Sequence, residues 1–309
     1  MPPLKYHDGQ IAIQQEAKTS RIADILSRWV GPIEEFAHDA DLFVFAASSG
    51  DELRFTVLAG EPSLVQIPDG PDLRIRFHPM WADALPSGRC GGLAINLPRA
   101  RRVRLNGNLI RRDGAAELVP LETFTLCRKY MAPFVSLESE VRVGPSRREP
   151  VSTANPDLIA LVAGAETAFL ATAGPDGGPD VAHRGGPPGF LSLDAPGRRL
   201  TWTEFVGDGV FKSAGNIRAT GAFTLLVPDF TTGDGVELLG RATYTNLKTD
   251  RTWRRDALVQ HRDPFPPQGR MDAEVTKAYR LRRVVWPRTK AADVVRITSC
   301  STVDEQAPQ

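Results

Sequence analysis

The sequence predicts a mainly β chain, β-barrels with flanking helices, laid out as two successive copies of one unit. Three observations carry that expectation. Apolar or alternating runs at Ala168 to Ala171, Phe223 to Val227 and Val236 to Ala242 are separated by Gly, Pro and Asp clusters, as in hairpin-linked antiparallel strands. The first half resembles the second: FVFAASSGDE is similar to FLATAGPDGG, TVLAGEPSLV to AHRGGPPGFL, and GLAINLPRARRVRLNGNL to TLLVPDFTTGDGVELLGRA. A chain of 309 residues also exceeds a comfortable single core, so two domains are expected, at residues 1–145 and 151–309.

Met1 to Lys18 read as a polar lead-in. From Ser20, which can cap, Ile22, Ile25, Leu26, Trp29, Ile33 and Phe36 recur at helical spacing, so a helix with its apolar stripe on a barrel is expected, kinked at Gly31-Pro32. Strand-like runs follow at Leu42 to Ala47, Leu53 to Ala59, Leu73 to Phe77, Gly92 to Leu97 and Arg102 to Ile110, each bounded by turn residues. Leu118 to Tyr130 begins the connection, and Pro145 to Pro150 reads as an exposed linker. Asn155-Pro156-Asp157 starts a helix, with proline in its first turn. Beyond Tyr244 the pattern predicts a helix over Thr249 to His261, a final strand over Val275 to Trp286, Trp286 packed on a barrel, and a frayed end after Thr298.

Composition limits the function classes. Lys plus Arg 38 against Asp plus Glu 37 leaves a net charge of +1, so no global field recruits nucleic acid or an anionic membrane. Cys90, Cys127 and Cys300 are odd in number and far apart, which suits reduced thiols in a cytoplasmic protein. No run approaches the roughly 18 apolar residues of a membrane span, and MPPLKYHDGQ has no signal-like hydrophobic region. The other histidines, His7, His38, His78 and His261, are scattered, so no metal set and no Ser-His-Asp arrangement is expected.

Two polar, glycine-rich segments stand out among the strands of the second half. In His183-Arg184-Gly185-Gly186 a cation sits beside two glycines, which suits a backbone brought close to an anionic ligand. Asp208 to Asn216 reads as the opening of a short helix, where free amides backed by Lys212 and Ser213 suit a phosphate. Asn216 could face the same pocket at helical spacing, with capping or helix packing as its other reading. The first half has Val57-Leu58-Ala59-Gly60 in place of the cation-glycine segment and MWADALPSGRC in place of the Lys-Ser segment. One phosphate pocket is therefore expected, in the second unit, with the first supplying the opposite wall.

The PDVAHRGGPPGF, VFKSAGNI and DFTTGDGVELLGRA segments, with YHDGQIAIQ at Tyr6 to Gln14, resemble the pyridoxamine 5'-phosphate oxidase-like family of FMN-binding split β-barrels in its two-barrel form. The resemblance implies two tandem split barrels of the FMN-binding type, with FMN in the second. His183, Arg184, Gly185, Gly186, Lys212, Ser213 and Asn216 are then cofactor-binding candidates. Trp202, Glu204 and Phe205 are candidates for the ring pocket, although packing on a strand competes for Trp202. Cys127-Arg128-Lys129-Tyr130 matches a signature of the tandem proteins; it either reaches a neighbouring site or ends a solvated strand with Tyr130 turned inward. His183 is the one catalytic candidate, against a structural role, and the protein acid or base is otherwise unknown. The implied activity is FMN-dependent hydride or electron transfer to an unidentified small molecule, with a nicotinamide donor or oxygen as partner and a homodimer as the assembly. A deazaflavin- or haem-binding relative, or a non-catalytic flavin-binding module, are the alternatives.

Overall fold

The computed structural model describes residues 4–27, 33–59, 65–68, 73–125, 129–131, 134–136, 147–194, 196–247 and 264–290. Two antiparallel sheets carry the molecule. The first contains β1 (Leu42–Ser49), β2 (Glu52–Ala59), β3 (Val65–Gln66), β4 (Ile75–Phe77), β5 (Gly88–Asn96), β6 (Arg101–Arg112) and β7 (Ala115–Thr125), in the order β2-β1-β5-β6-β7-β4-β3. β8 (Phe134–Ser136) lies apart from it. The second contains β10 (Thr167–Ala173), β11 (Pro179–Gly185), β12 (Leu191–Leu193), β13 (Arg199–Phe205), β14 (Ala222–Pro228), β15 (Gly235–Asn246) and β16 (Pro267–Arg282), in the order β11-β10-β14-β15-β16-β13-β12, with β9 (Arg147–Pro150) added on β16. A short β17 (Arg288–Lys290) pairs with β8. Laying β1 on β10, and each following strand through β7 on its successor, makes the two orders identical.

Three apolar cores follow from this arrangement. One belongs to the first sheet, around Phe43, Phe45, Phe77 and Leu105, and one to the second, around Trp202, Leu225 and Leu238. The third joins them: Val44, Val57 and Leu93 pack with Phe169, Val181, Leu226 and Trp286. Alternate residues of β1 and β10 thus face different cores, which is why both strands are buried on both sides. Trp286 lies in the shared core, as the sequence predicts.

Among the described residues the α-helices are α1 (Asp8–Ala17), α2 (Ser20–Ser27), α3 (Ile33–Asp39), α4 (Pro156–Gly164) and α5 (Lys212–Thr220). Asn155 caps α4 through its side chain, with Pro156 in the first turn as expected. Where the second sheet has α5 between β13 and β14, the first has a single 3-10 turn at Pro79–Trp81 between β4 and β5.

Four expectations are corrected. The polar lead-in contains α1, nucleated by a capping box in which His7 accepts from Gly9 N and Gln10 reaches back to His7 N. Arg147 to Pro150 is a strand rather than a linker, held because Arg148 projects between the two sheets onto Glu52 and Glu237. The stripe of α2 does not lie on a barrel: the left-handed Lys18 ends α1 just before α2, and Ile22 and Ile25 are exposed, while Phe36 of α3 does pack on the first core. The last long strand starts at Pro267 and stops at Arg282, where Arg283 takes a left-handed φ of 54°. The helix expected at Thr249 to His261, the Gly31-Pro32 kink and the end after Thr298 lie outside the described residues.

Candidate functional site

β11 and β13 deliver most of the side chains singled out in the sequence to one end of the second sheet, where α5 begins. A cleft there is lined by His183, Arg184, Gly185, Glu204, Phe205, Lys212 and Ser213. The first half contributes Arg102 and Arg104 from β6, together with Tyr130. Its volume is 100 Å³.

α5 opens onto this cleft without a side-chain cap. Phe211 occupies the N-cap position in left-handed conformation, φ 55°, and offers no oxygen to the first amides. Lys212 and Ser213 are buried in the first turn. The helix is fixed from behind by α1. His7 Nδ1 accepts from Gly9 N, so Nε2 carries the proton and donates to Asn216 Oδ1 at 2.8 Å. Gln10 Nε2 donates to the same oxygen at 2.9 Å, and Asn216 Nδ2 donates to Thr172 Oγ1 at 3.0 Å. Gln14 Nε2 and Thr19 Oγ1 hold the loop before α5 by donating to the carbonyls of Val210 and Gly209.

Three cations of the cleft, Arg184, Lys212 and Arg104, face carboxylates of the chain itself. Arg184 Nε donates to Glu204 Oε1 at 2.6 Å, and Lys212 Nζ lies 2.5 Å from Glu122 Oε2 on β7. Arg104 Nη1 lies 3.3 Å from Asp180 Oδ1, with its guanidinium over the Phe124 ring, while its buried Nε has no partner. His183 reports the local field. Burial first, then the charges of Arg102 and Arg184, hold its pKa well below the ordinary 6.5, so the imidazole is neutral. It is therefore a poor proton acceptor. Tyr130 donates its hydroxyl to Val206 O and stacks beside Phe205 and Phe265. Of the two readings of that segment, Tyr130 at least reaches the neighbouring cleft.

Three expected residues stand outside the lining. Asn216 is spent on α1 and β10, as its packing reading had it, although it borders an adjoining cavity. Trp202 is 1% exposed in the second core and donates Nε1 to Glu204 Oε1, so it positions the carboxylate that pairs Arg184. Gly186 packs under Phe205 and Phe190, where a methyl would lie 2.7 Å from Phe205 Cε2. The reason for glycine at 185 also differs from the expected one, because a methyl there would run into the Tyr130 carbonyl rather than into ligand space.

Sequence reasoning missed Arg102, Arg104, Glu122 and Asp180. The first half does lack a cation at Leu58, the counterpart of Arg184, yet it sends two arginines from another strand. Their signal was available: Arg102 and Arg104 alternate with Val103 and Leu105 in a run otherwise fit for a core, and both are at most 7% exposed. The adjoining cavity, of 410 Å³, lies between the halves and is lined by Tyr6, His7, Asn106, Glu122 and Asp180. Lys212 lines both spaces. No group of three or more metal-ligating side chains occurs among the described residues, and no helix there is long and apolar enough to cross a membrane.

No family model matches the chain, and no curated protein does. Solved structures do. A putative pyridoxamine 5'-phosphate oxidase from Lactobacillus delbrueckii is 19% identical, with 42% of this chain on 98% of that one and a TM-score of 0.31. An FMN-binding protein from Syntrophomonas wolfei is 14% identical over 40% of this chain and 86% of its own, TM-score 0.29. HupZ of Group A Streptococcus is 16% identical over 44% and 98%, TM-score 0.31. Each of these three covers less than half of this chain, at a TM-score below 0.5.

Proposed function

We propose that this chain is a flavin-binding oxidoreductase that takes FMN with its phosphate at the start of α5. The observation that carries the reading is the convergence on one cleft of an uncapped helix N-terminus, Lys212, Ser213, Arg184 and the partnerless Arg104 Nε. Free amides and the helix dipole favour an anion there, and a buried donor without a partner fits an added oxygen. The donor set therefore suits a phosphate. Phe205, Tyr130, Glu204 and the neutral His183 would border the remainder of the cofactor.

Size limits how the group is accommodated. A cleft of 100 Å³ is smaller than the roughly 300–1,000 Å³ of sites that enclose such ligands, whereas the adjoining 410 Å³ cavity lies within that range. A bound flavin supplies hydride or electron transfer. The chain's part is to hold and orient it, and His183, held neutral, adds a hydrogen bond without adding charge. In this reading residues 151–309 form the cofactor domain. Residues 1–145 are a second copy that lends Arg102, Arg104 and Tyr130. The substrate is a small molecule, with a nicotinamide donor or oxygen completing the electron path.

Absorbance of the purified or FMN-reconstituted protein tests the reading. The two visible-region bands of oxidised flavin are expected; a Soret band, a single deazaflavin band or no uptake would reject FMN. Arg184→Ala with Lys212→Ala should give a folded protein depleted of cofactor, since each charged hydrogen bond contributes roughly 1.5–3 kcal/mol. Full retention of flavin would remove both residues from the site.

A further inference from the structure

We propose that Glu122, a residue of the first half, is an internal competitor for the anion site and sets its affinity by holding Lys212. The inference rests on the anion-binding reading of the cleft and assigns a role to a residue outside its lining.

Lys212 is the first residue of α5, where the helix dipole disfavours a cation unless an anion accompanies it. Glu122 is that anion, 2.5 Å from Nζ, and the lysine side chain is 7% exposed. Glu122 is held in turn by Asn106 Nδ2, 3.0 Å from the same oxygen, and that Nδ2 also donates to Asp180 Oδ1 at 2.9 Å. An incoming phosphate must therefore displace Glu122 to gain Lys212.

Of the three carboxylates that pair cleft cations, Glu122 is the one that can leave. Its side chain is 25% exposed, against 2% for Asp180 and 11% for Glu204, so it keeps contact with water when displaced. A deeply buried carboxylate would be stranded without its partner. Glu122 also borders the 410 Å³ cavity, and Lys212 borders both spaces. Parting the pair exchanges a carboxylate for a ligand anion at the boundary between them. That a further anion is wanted follows separately from Arg104, 5% exposed and lining the cleft with its Nε unpartnered.

The test uses the full chain with inorganic phosphate by calorimetry, and FMN and riboflavin by quenching of flavin fluorescence. Glu122→Gln removes the charge and keeps an acceptor for Asn106. It should raise affinity for phosphate and for FMN about tenfold and leave riboflavin unchanged. In a Lys212→Gln background the same substitution should have no effect. If Glu122→Gln does not fold, Glu122→Asp, which shortens the reach, should give a smaller rise in the same direction. Unchanged or weaker phosphate binding, no phosphate binding by either protein, or an equal rise without Lys212 would overturn the proposal. A rise for phosphate with no uptake of FMN would overturn the flavin reading alone. FMN uptake indifferent to Glu122 would overturn this inference alone.

Discussion

At the scale of single residues, His183 shows how the cleft's charge is expressed. Its folded-state pKa lies below the ordinary 6.5, so as pH falls through that value the unfolded chain takes up a proton that the folded chain refuses. The stabilisation is therefore present above 6.5 and is lost below it. His183→Gln should flatten this: the drop in urea midpoint between about pH 7.5 and about pH 5 is expected to be smaller in the variant. An equal drop would mean that the imidazole is not held neutral by its surroundings. The residues around it divide by what a linear sequence can reveal. Arg184 and Lys212 were legible because each sits in a local pattern, a cation beside glycines and a cation at a helix start. Their partners were not: Glu122 meets Lys212 across 90 positions and Glu204 meets Arg184 across 20, pairings that exist only once the strands are in register. The glycines were legible as unusual but not as to cause, since the atoms they admit belong to Tyr130, Phe205 and Phe190.

At the scale of elements, the crossing of α1 over α5 fixes the site's geometry. The helices meet through Gly9 and Gly215, where a methyl on Gly9 would lie 2.7 Å from Gly215 O and one on Gly215 would lie 2.5 Å from Gln10 Cα. Gly215→Ala would gain about 1 kcal/mol of helix propensity, but forcing α1 away costs roughly 1–3 kcal/mol of packing and loosens both hydrogen bonds to Asn216 Oδ1. A net loss is expected, read as a lower urea midpoint together with weaker phosphate binding; a stability gain would show that the crossing has slack. Strands were read well because alternation and turn residues are local. α1 was missed because its buried face includes Gln10 and Gln14, polar residues whose partners lie on α5 and the loop before it. The His7-x-x-Gln10 spacing was the available signal.

At the scale of the whole molecule, the two sheets are joined by a shared apolar core and by charged groups that cross between them, among them Arg148. It donates from Nε to Glu237 at 2.8 Å and from Nη1 to Glu52 at 3.2 Å, with the guanidinium 3.4 Å from the Tyr279 ring centroid. Glu237 is 1% exposed and also accepts from Phe55 N, so it belongs to both halves. Burial raises its pKa despite the attraction of Arg148. A raised folded-state value means that the associated stability is complete below the ordinary 4.5 and is lost as pH rises through the folded value. Removing the arginine strands this carboxylate, at a cost of about 3–5 kcal/mol. Arg148→Ala should thus be strongly destabilised at about pH 8 and less so at about pH 5, where uptake of a proton relieves the buried charge. Adding Glu237→Gln should recover most of the loss at the higher pH, because an amide needs no counter-charge. A penalty independent of pH, or one that Glu237→Gln does not reduce, would mean that Arg148 does not act by balancing the charge of Glu237.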